Sequence, residues 1–270
     1  MSAPDPGIRS PLVDMFRHGD ADVEIRLHAA RGALAPRAHE QLALLMVLSA
    51  DPDPRVRQAA ADTIDRIPAS TLATFIARAD VPDAMRQWFS SRESWTPQPG
   101  GTVDPDAPLI DTSESSESSE SSESSESSKE ESEEETKKLL SLMTVLERMK
   151  LAMRGTREQR AMLIRDPSKM VAVAVLSGPK VSESEIEAFA KMTTVSEEVL
   201  RIIGANRVWT RNYGVVLGLA RNPKTPTGVA LNLSSRLNER DMRQLSTDRN
   251  VPEPVRLAVR KFLIKSQKGS

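Results

Sequence analysis

The 270-residue chain is nearly neutral overall, with 37 Lys and Arg against 38 Asp and Glu, but the charges are segregated: residues 1–136 hold 12 basic and 26 acidic side chains, residues 137–270 hold 25 and 12. It has no cysteine, which excludes disulfides, thiolate zinc sites, cysteine-held iron–sulfur clusters and a cysteine nucleophile. No stretch approaches the roughly 20 apolar residues that span a bilayer, and Pro4, Asp5, Pro6 and Pro11 do not make the basic-then-apolar pattern of a signal peptide, so a cytoplasmic protein is expected.

Aromatic residues make up only 3% of the chain, so any core is built from Leu, Val, Ile, Ala and Met, a palette that favours packed helices over sheets. Residues 11–92 show helix-length apolar periodicity broken by proline and aspartate. The run AHEQLALLMVLS at 38–49 is too apolar for an exposed helix and is expected in the core. In DPDPRVRQAAADTI at 51–64, Asp53 is placed to cap a helix and Pro54 to occupy its first position, with Val56, Ala60 and Ile64 on one face. Further helices fit 69–77 and a segment from Pro82 carrying Met85, Trp88 and Phe89. Residues 1–93 therefore read as one helical module.

From 94 to 136 the chain changes character. Prolines and glycines lead into Glu-Ser-Ser triplets at 114–128 and then KEESEEE. Such a composition buries too little apolar surface to offset its ordering entropy and reads as a disordered linker, with a flexible reach of roughly 30–36 Å over residues 101–136. It is either a solvated spacer or an acidic arm that contacts the basic C-terminal module. Glutamates at strict threes leave serine without an acid three residues on until Ser127 and Ser128, which argues against phosphorylation by acid-directed recognition across most of the tract.

Residues 137–267 return to helical periodicity. Leu139 to Met153 predicts one helix ending near Gly155. A unit then recurs: KVSESEI at 180–186, TVSEEVL at 194–200, KTPTGVA at 224–230 and NVPEPVR at 250–256. Each has a β-branched residue, then Ser or Pro suited to a helix start, then an apolar residue about three further on; Ser182 with Glu185 has capping-box spacing. VPDAMR at 81–86 and, more loosely, DPRVR at 53–57 repeat it in the N-terminal half. Recurrent helical units that cannot bury their apolar faces alone predict stacking. The expected fold is all-α, with two short α-solenoid modules, 1–93 and 137–267, joined by the acidic linker.

DPDPRVRQAA resembles the Asp-Pro-x-x-Arg turn and helix of HEAT repeats. ARNPKTPTGVALNL at 220–233 and STDRNVPEPVRLAV at 246–259 resemble the Asn-Pro-x-Thr-Pro unit of leucine-rich-repeat-variant proteins. Bacterial proteins with the same two-module layout are a further resemblance. These families are all-α superhelices, and their motifs are structural punctuation that implies no activity; the cysteine-bound cluster of some variant-repeat proteins does not carry over.

His18, His28 and His39 fall on three different predicted helices, without the i, i+4 pairing a metal centre wants, so no metal site is expected. No phosphate-cradling glycine loop or serine elbow occurs, and neither a cofactor nor catalysis is expected; Asp241 and Asp248 are the weak acid candidates should the chain be an enzyme. The functional signal is the basic C-terminal module: Arg157, Arg160, Arg165, Arg207, Trp209, Arg211, Tyr213, Arg221 and Lys224 form the candidate binding surface. Trp209 and Tyr213 at i, i+4 would share one helix face between Arg207 and Arg211. The expected function is a non-enzymatic scaffold or adaptor that binds protein partners. The alternative is nucleic-acid binding through this module, by phosphate contacts and base stacking.

Overall fold

The computed structural model describes residues 4–34, 37–91, 109, 139–140 and 142–268. Apart from Leu109, the expected linker at 94–136 lies outside these residues. The fold is all-α: fifteen α-helices and one 3-10 turn, with no strand among the described residues. Two compact units divide the chain, one comprising 1–155 with 174–179 and the other 156–173 with 180–270. Helix 145–154 therefore groups with the N-terminal helices, where the sequence pattern alone would join it to the C-terminal ones.

The first unit contains α1 (Pro11–His18), α2 (Val23–Ala30), α3 (Ala38–Leu48), α4 (Pro54–Arg66), α5 (Ala69–Ile76), α6 (Asp83–Ser90) and α7 (Val145–Arg154). Its centre is α3, whose residues from Ala38 to Leu48 are buried except His39. A helix apolar all round is stable only when neighbours cover every side, and α1, α2, α4 and α6 all pack on it. Gly19 ends α1 in the left-handed conformation (φ 76°), letting the Gly19 and Asp20 amides reach back to the carbonyls of Phe16 and Met15, the glycine stop of a helix C-terminus. Asp53 caps α4 as its position predicts, accepting the Arg55 amide at 2.8 Å, with Pro54 in the first turn.

The predicted helix from 139 to 153 is interrupted. Thr144 and Glu147 form a reciprocal capping box, the Thr144 amide donating to Glu147 Oε2 at 2.7 Å and the Glu147 amide to Thr144 Oγ1 at 3.3 Å. The box starts α7 afresh at Val145, because a capped Thr144 holds extended backbone.

The second unit contains α8 (Arg157–Leu163), the start of α9 (Lys169–Ser177), α10 (Glu183–Lys191), α11 (Glu197–Ala205), a 3-10 turn (Trp209–Arg211), α12 (Tyr213–Arg221), α13 (Thr227–Ser234), α14 (Glu239–Thr247) and α15 (Glu253–Lys268). Its helices alternate. The first members of successive pairs, α8, α10 and α12, pack side by side, and so do the second members α11, α13 and α15. The recurring sequence unit now has a physical meaning. Val81, Val195, Thr225 and Val251, the β-branched residues before four of these helix starts, are buried at 3% exposure or less, whereas Val181 before α10 is only half-buried. Pro82, Ser196 and Pro226 stand at the N-caps that follow. Each buried side chain pins the entry of a second helix against its pair, as a hydrophobic staple does.

Small residues set the spacing between pairs. A Cβ on Gly204 of α11 would lie 2.4 Å from Val229 Cγ1 of α13, and one on Gly218 of α12 would lie 3.2 Å from Ala190 Cβ of α10. Neither glycine needs unusual dihedrals; each lets two helices approach closely.

Candidate binding surfaces

In the second unit, side chains that cross between pairs show which ends of the helices are neighbours. At the C-terminal ends of α8, α10 and α12, Arg165 Nη2 approaches Met192 Sδ at 3.8 Å. Asn222 Nδ2 donates to the carbonyls of Ala190 and Met192, each at 2.9 Å, while its Oδ1 accepts the Lys224 amide at 3.0 Å. At the opposite ends, Arg236 donates to the Thr210 carbonyl at 2.7 Å. The Tyr213 hydroxyl donates to Asp241 Oδ2 at 2.5 Å and accepts the Asn238 amide at 3.2 Å. Turns that lead out of a first helix thus lie along one edge, and turns that lead into the next pair lie along the other, separated by a nine-residue helix, about 13 Å.

This geometry splits the nine-residue candidate surface. Arg165 and Lys224 belong to the first edge; Arg157, Arg207, Trp209 and Arg211 belong to the second. Arg160 leaves the surface altogether. Its side chain is 6% exposed and forks onto Glu185, with Nε at 2.9 Å from Oε1 and Nη2 at 3.0 Å from Oε2. Glu185 also completes the Ser182 capping box. Burial pushes its carboxyl up, but the Ser182 amide and hydroxyl and the Arg160 guanidinium outweigh this and hold it below its ordinary value. A buried arginine was invisible in the sequence because Arg157, Arg160 and Arg165 look alike there.

Trp209 and Tyr213 do not share a helix face. Asn212 takes an extended conformation (ψ 120°) and its side chain accepts the Gly214 amide at 2.8 Å. That cap starts α12 at Tyr213 and leaves Trp209 on the preceding 3-10 turn. Trp209 is half-buried. The Tyr213 ring is 40% exposed, with its hydroxyl committed to Asp241 and Asn238; burial and the Asp241 carboxylate raise its pKa. Arg221 bonds Gln244 and lies 3.6 Å from Asp241, so Asp241 is spoken for by a phenol and a guanidinium. Asp248 accepts the Asn250 amide at 2.9 Å in the turn before α15. The two weak acid candidates thus have structural partners.

What remains free is informative. Arg157, Lys180, Arg207, Arg211 and Arg240 sit at or beside the starts of first helices and form no ion pair among the described residues. Glu158 and Glu183 dilute the charge near α8 and α10. The concentration is therefore at Arg207 and Arg211, which flank Trp209 and the 59%-exposed Val208.

A second basic region was not anticipated. In the first unit a groove of about 1090 Å³ runs over α2 and α4, lined by Leu27, His28, Arg31, Arg55, Thr63 and Arg66 among others, with Lys150 of α7 at its side. The three histidines lie on α1, α2 and α3. His28 enters the groove, while His39 packs edge-on against Phe75 with ring centroids 4.6 Å apart. Only tertiary packing assembles this groove, since its cations come from segments up to 119 residues apart.

Among the described residues, no helix is long and apolar enough to cross a membrane. The chain matches no protein-family model, no curated protein and no solved structure.

Proposed function

We propose that the chain is a non-enzymatic adaptor of HEAT-like helical-repeat type, which binds an acidic protein surface through the pair-to-pair turns of its second unit. One observation carries this reading: Arg207 and Arg211, unpaired, bracket half-buried Trp209 and exposed Val208 on one short turn. A large anchored aromatic ring with an apolar neighbour and flanking guanidiniums is the composition of an interface hot spot. The arginines supply bidentate donors for carboxylates. The nucleic-acid alternative wants stacking platforms spaced along the strand, and the other ring nearby, Tyr213, stands on a different element from Trp209 and is held in place through its hydroxyl by Asp241.

The test is fluorescence anisotropy of the full chain with a labelled 20-residue polyglutamate and, separately, a 20-nucleotide oligo-dT, over a salt series. Polyglutamate affinity should fall by at least 10-fold in Arg207→Glu/Arg211→Glu, with oligo-dT the weaker ligand. Tighter oligo-dT binding, with a log–log salt slope of about −0.7 per phosphate neutralised, would replace this reading with the nucleic-acid one. The chain's own acidic tract at 112–136 is an in-cis competitor for such a surface by charge. Deleting it should strengthen polyglutamate binding; unchanged affinity removes the competition from the proposal.

A further inference from the structure

The α2–α4 groove of the first unit differs in kind from the turn edge of the second. Its floor is made by Leu27, Ala59 and the fully buried Thr63. Its walls carry four cations, Arg31, Arg55, Arg66 and Lys150, against one acid, Asp62. Arg55 is committed to Asp53, its Nη2 lying 2.8 Å from Oδ2, and Asp62 is held by Gln58 Nε2 at 2.7 Å. Arg66 donates to Thr63 Oγ1 at 3.0 Å and reaches no carboxylate among the described residues. Arg31 and Lys150 have no ion-pair partner among them either. Three cations thus line one groove, all exposed to solvent and with no carboxylate within ion-pair distance among the described residues, while Glu147 of α7 acts on Lys150 from further off.

We infer that this groove is a docking site for an extended acidic polypeptide segment, independent of the binding edge of the second unit. The three cations come from the end of α2, the end of α4 and the middle of α7, and a string of carboxylates can meet them separately. Arg31 and Arg66 offer planar forks to carboxylates. The lining contains no Phe, Tyr or Trp, so a nucleic-acid base finds no ring to stack on. The groove is open to solvent at the surface, where an extended chain can enter it.

His28 reports on the field in the groove. Its pKa is lowered, first by burial and then by Lys150 and Arg31, with Glu24 opposing. A bound acidic segment that neutralises Lys150 and Arg31 must reverse the electrostatic part of that shift. Linkage then requires the segment to bind more tightly as pH falls through the His28 titration.

The test uses the full chain labelled with ¹³C at histidine ring carbons. With three histidines, the His28 signal is assigned by its loss in His28→Asn. A synthetic (Glu-Ser-Ser)₄ peptide, followed in parallel by anisotropy, should shift the His28 resonance and raise its pKa while leaving His18 unmoved. Arg31→Glu/Lys150→Glu, both exposed positions, should abolish that response and leave the thermal melt within ~1 °C of the parent. Arg207→Glu/Arg211→Glu should leave the His28 response intact, so failure here and failure of the adaptor reading stay distinguishable. Saturable peptide binding with no movement of His28 overturns the inference, as does an equal or larger response to oligo-dT. A response that appears only after deletion of residues 112–136 supports it and identifies the chain's own tract as the competing occupant.

Discussion

The two units solve the same problem, satisfying carbonyls at the ends of short helices, by different means. In the first unit an arginine turns back onto its own pair. Arg57 donates to the carbonyls of Asp51 and Pro52, and Arg86 to those of Ile76, Arg78 and Val81. In the second unit Arg260 of α15 does the same, donating to the Ser246 carbonyl of α14 at 3.0 Å, but other side chains reach across to the neighbouring pair: Asn222 to α10, Arg236 to the Thr210 turn, Tyr213 to α14. Local satisfaction leaves each pair able to loosen by itself, whereas crossed satisfaction couples pairs into one cooperative stack. The binding surfaces differ accordingly. The second unit displays cations along an edge of turns, and the first displays them around a groove over α2 and α4.

The largest effect that could break this comparison lies at the buried pair Arg160–Glu185. Both side chains are 6% exposed or less. Glu185→Ala strands a buried guanidinium and removes the capping partner of Ser182, at a cost of about 3–5 kcal/mol. The double variant Arg160→Met/Glu185→Leu should recover most of that loss, because two well-packed apolar side chains avoid the desolvation cost. Urea unfolding monitored by circular dichroism measures both. If the single variant costs less than about 1 kcal/mol, the first two helix pairs of the second unit are not joined by this contact. The acid side follows from the same pair. The Glu185 pKa is depressed, so its contribution is present above the ordinary carboxylate range and fades as pH falls through the lowered value.

A smaller effect sharpens the contrast between local and crossed satisfaction. Asn222→Ala leaves the Ala190 and Met192 carbonyls without their donor and frees the Lys224 amide, at about 2–3 kcal/mol. In hydrogen exchange the loss of protection should spread to α10 as well as α12. Arg86→Met, whose side chain is part-exposed, should cost about 1 kcal/mol and loosen only α5 and α6. Equal spreading in both variants would erase the distinction.

What the sequence disclosed follows the range of the interactions. Helix starts at Asp53, Pro82, Ser182 and Ser196 were legible because capping depends on residues one to three apart. The helical class and the core position of α3 were legible from periodicity. The fate of Trp209 and Tyr213 was not: the pair has helical spacing, and only the Asn212 cap shows that they belong to different elements. The division of the basic residues between two edges was equally hidden, since it depends on which helix ends lie side by side. Arg160 and the α2–α4 groove needed partners 25 or more residues away, which composition cannot supply. The recurring β-branched, Ser-or-Pro unit marked the starts of α6, α10, α11, α13 and α15, yet said nothing about what any turn binds.

The smallest expected effect tests the centre of the first unit. Glu40 lies within the apolar helix α3 at 7% exposure, accepting the Ser10 hydroxyl at 2.6 Å on Oε1, while Oε2 is buried without a hydrogen-bond partner. Burial raises its pKa, with the Ser10 bond and Arg37 opposing. A carboxyl with a raised folded-state pKa favours folding while it is protonated, below its unfolded value near 4.5. That contribution is lost as pH rises through the folded value, so at neutral pH the carboxylate is a liability. Glu40→Gln keeps the shape and the Ser10 contact and removes the charge. It should raise stability at pH 7 by about 1 kcal/mol, or ~2–4 °C in Tm, and the gain should vanish below pH 4.5. A loss of stability at pH 7 would mean that the Arg37 charge and the Ser10 hydroxyl together outweigh burial, so that α3 retains its acid as part of the packing between α1 and α3.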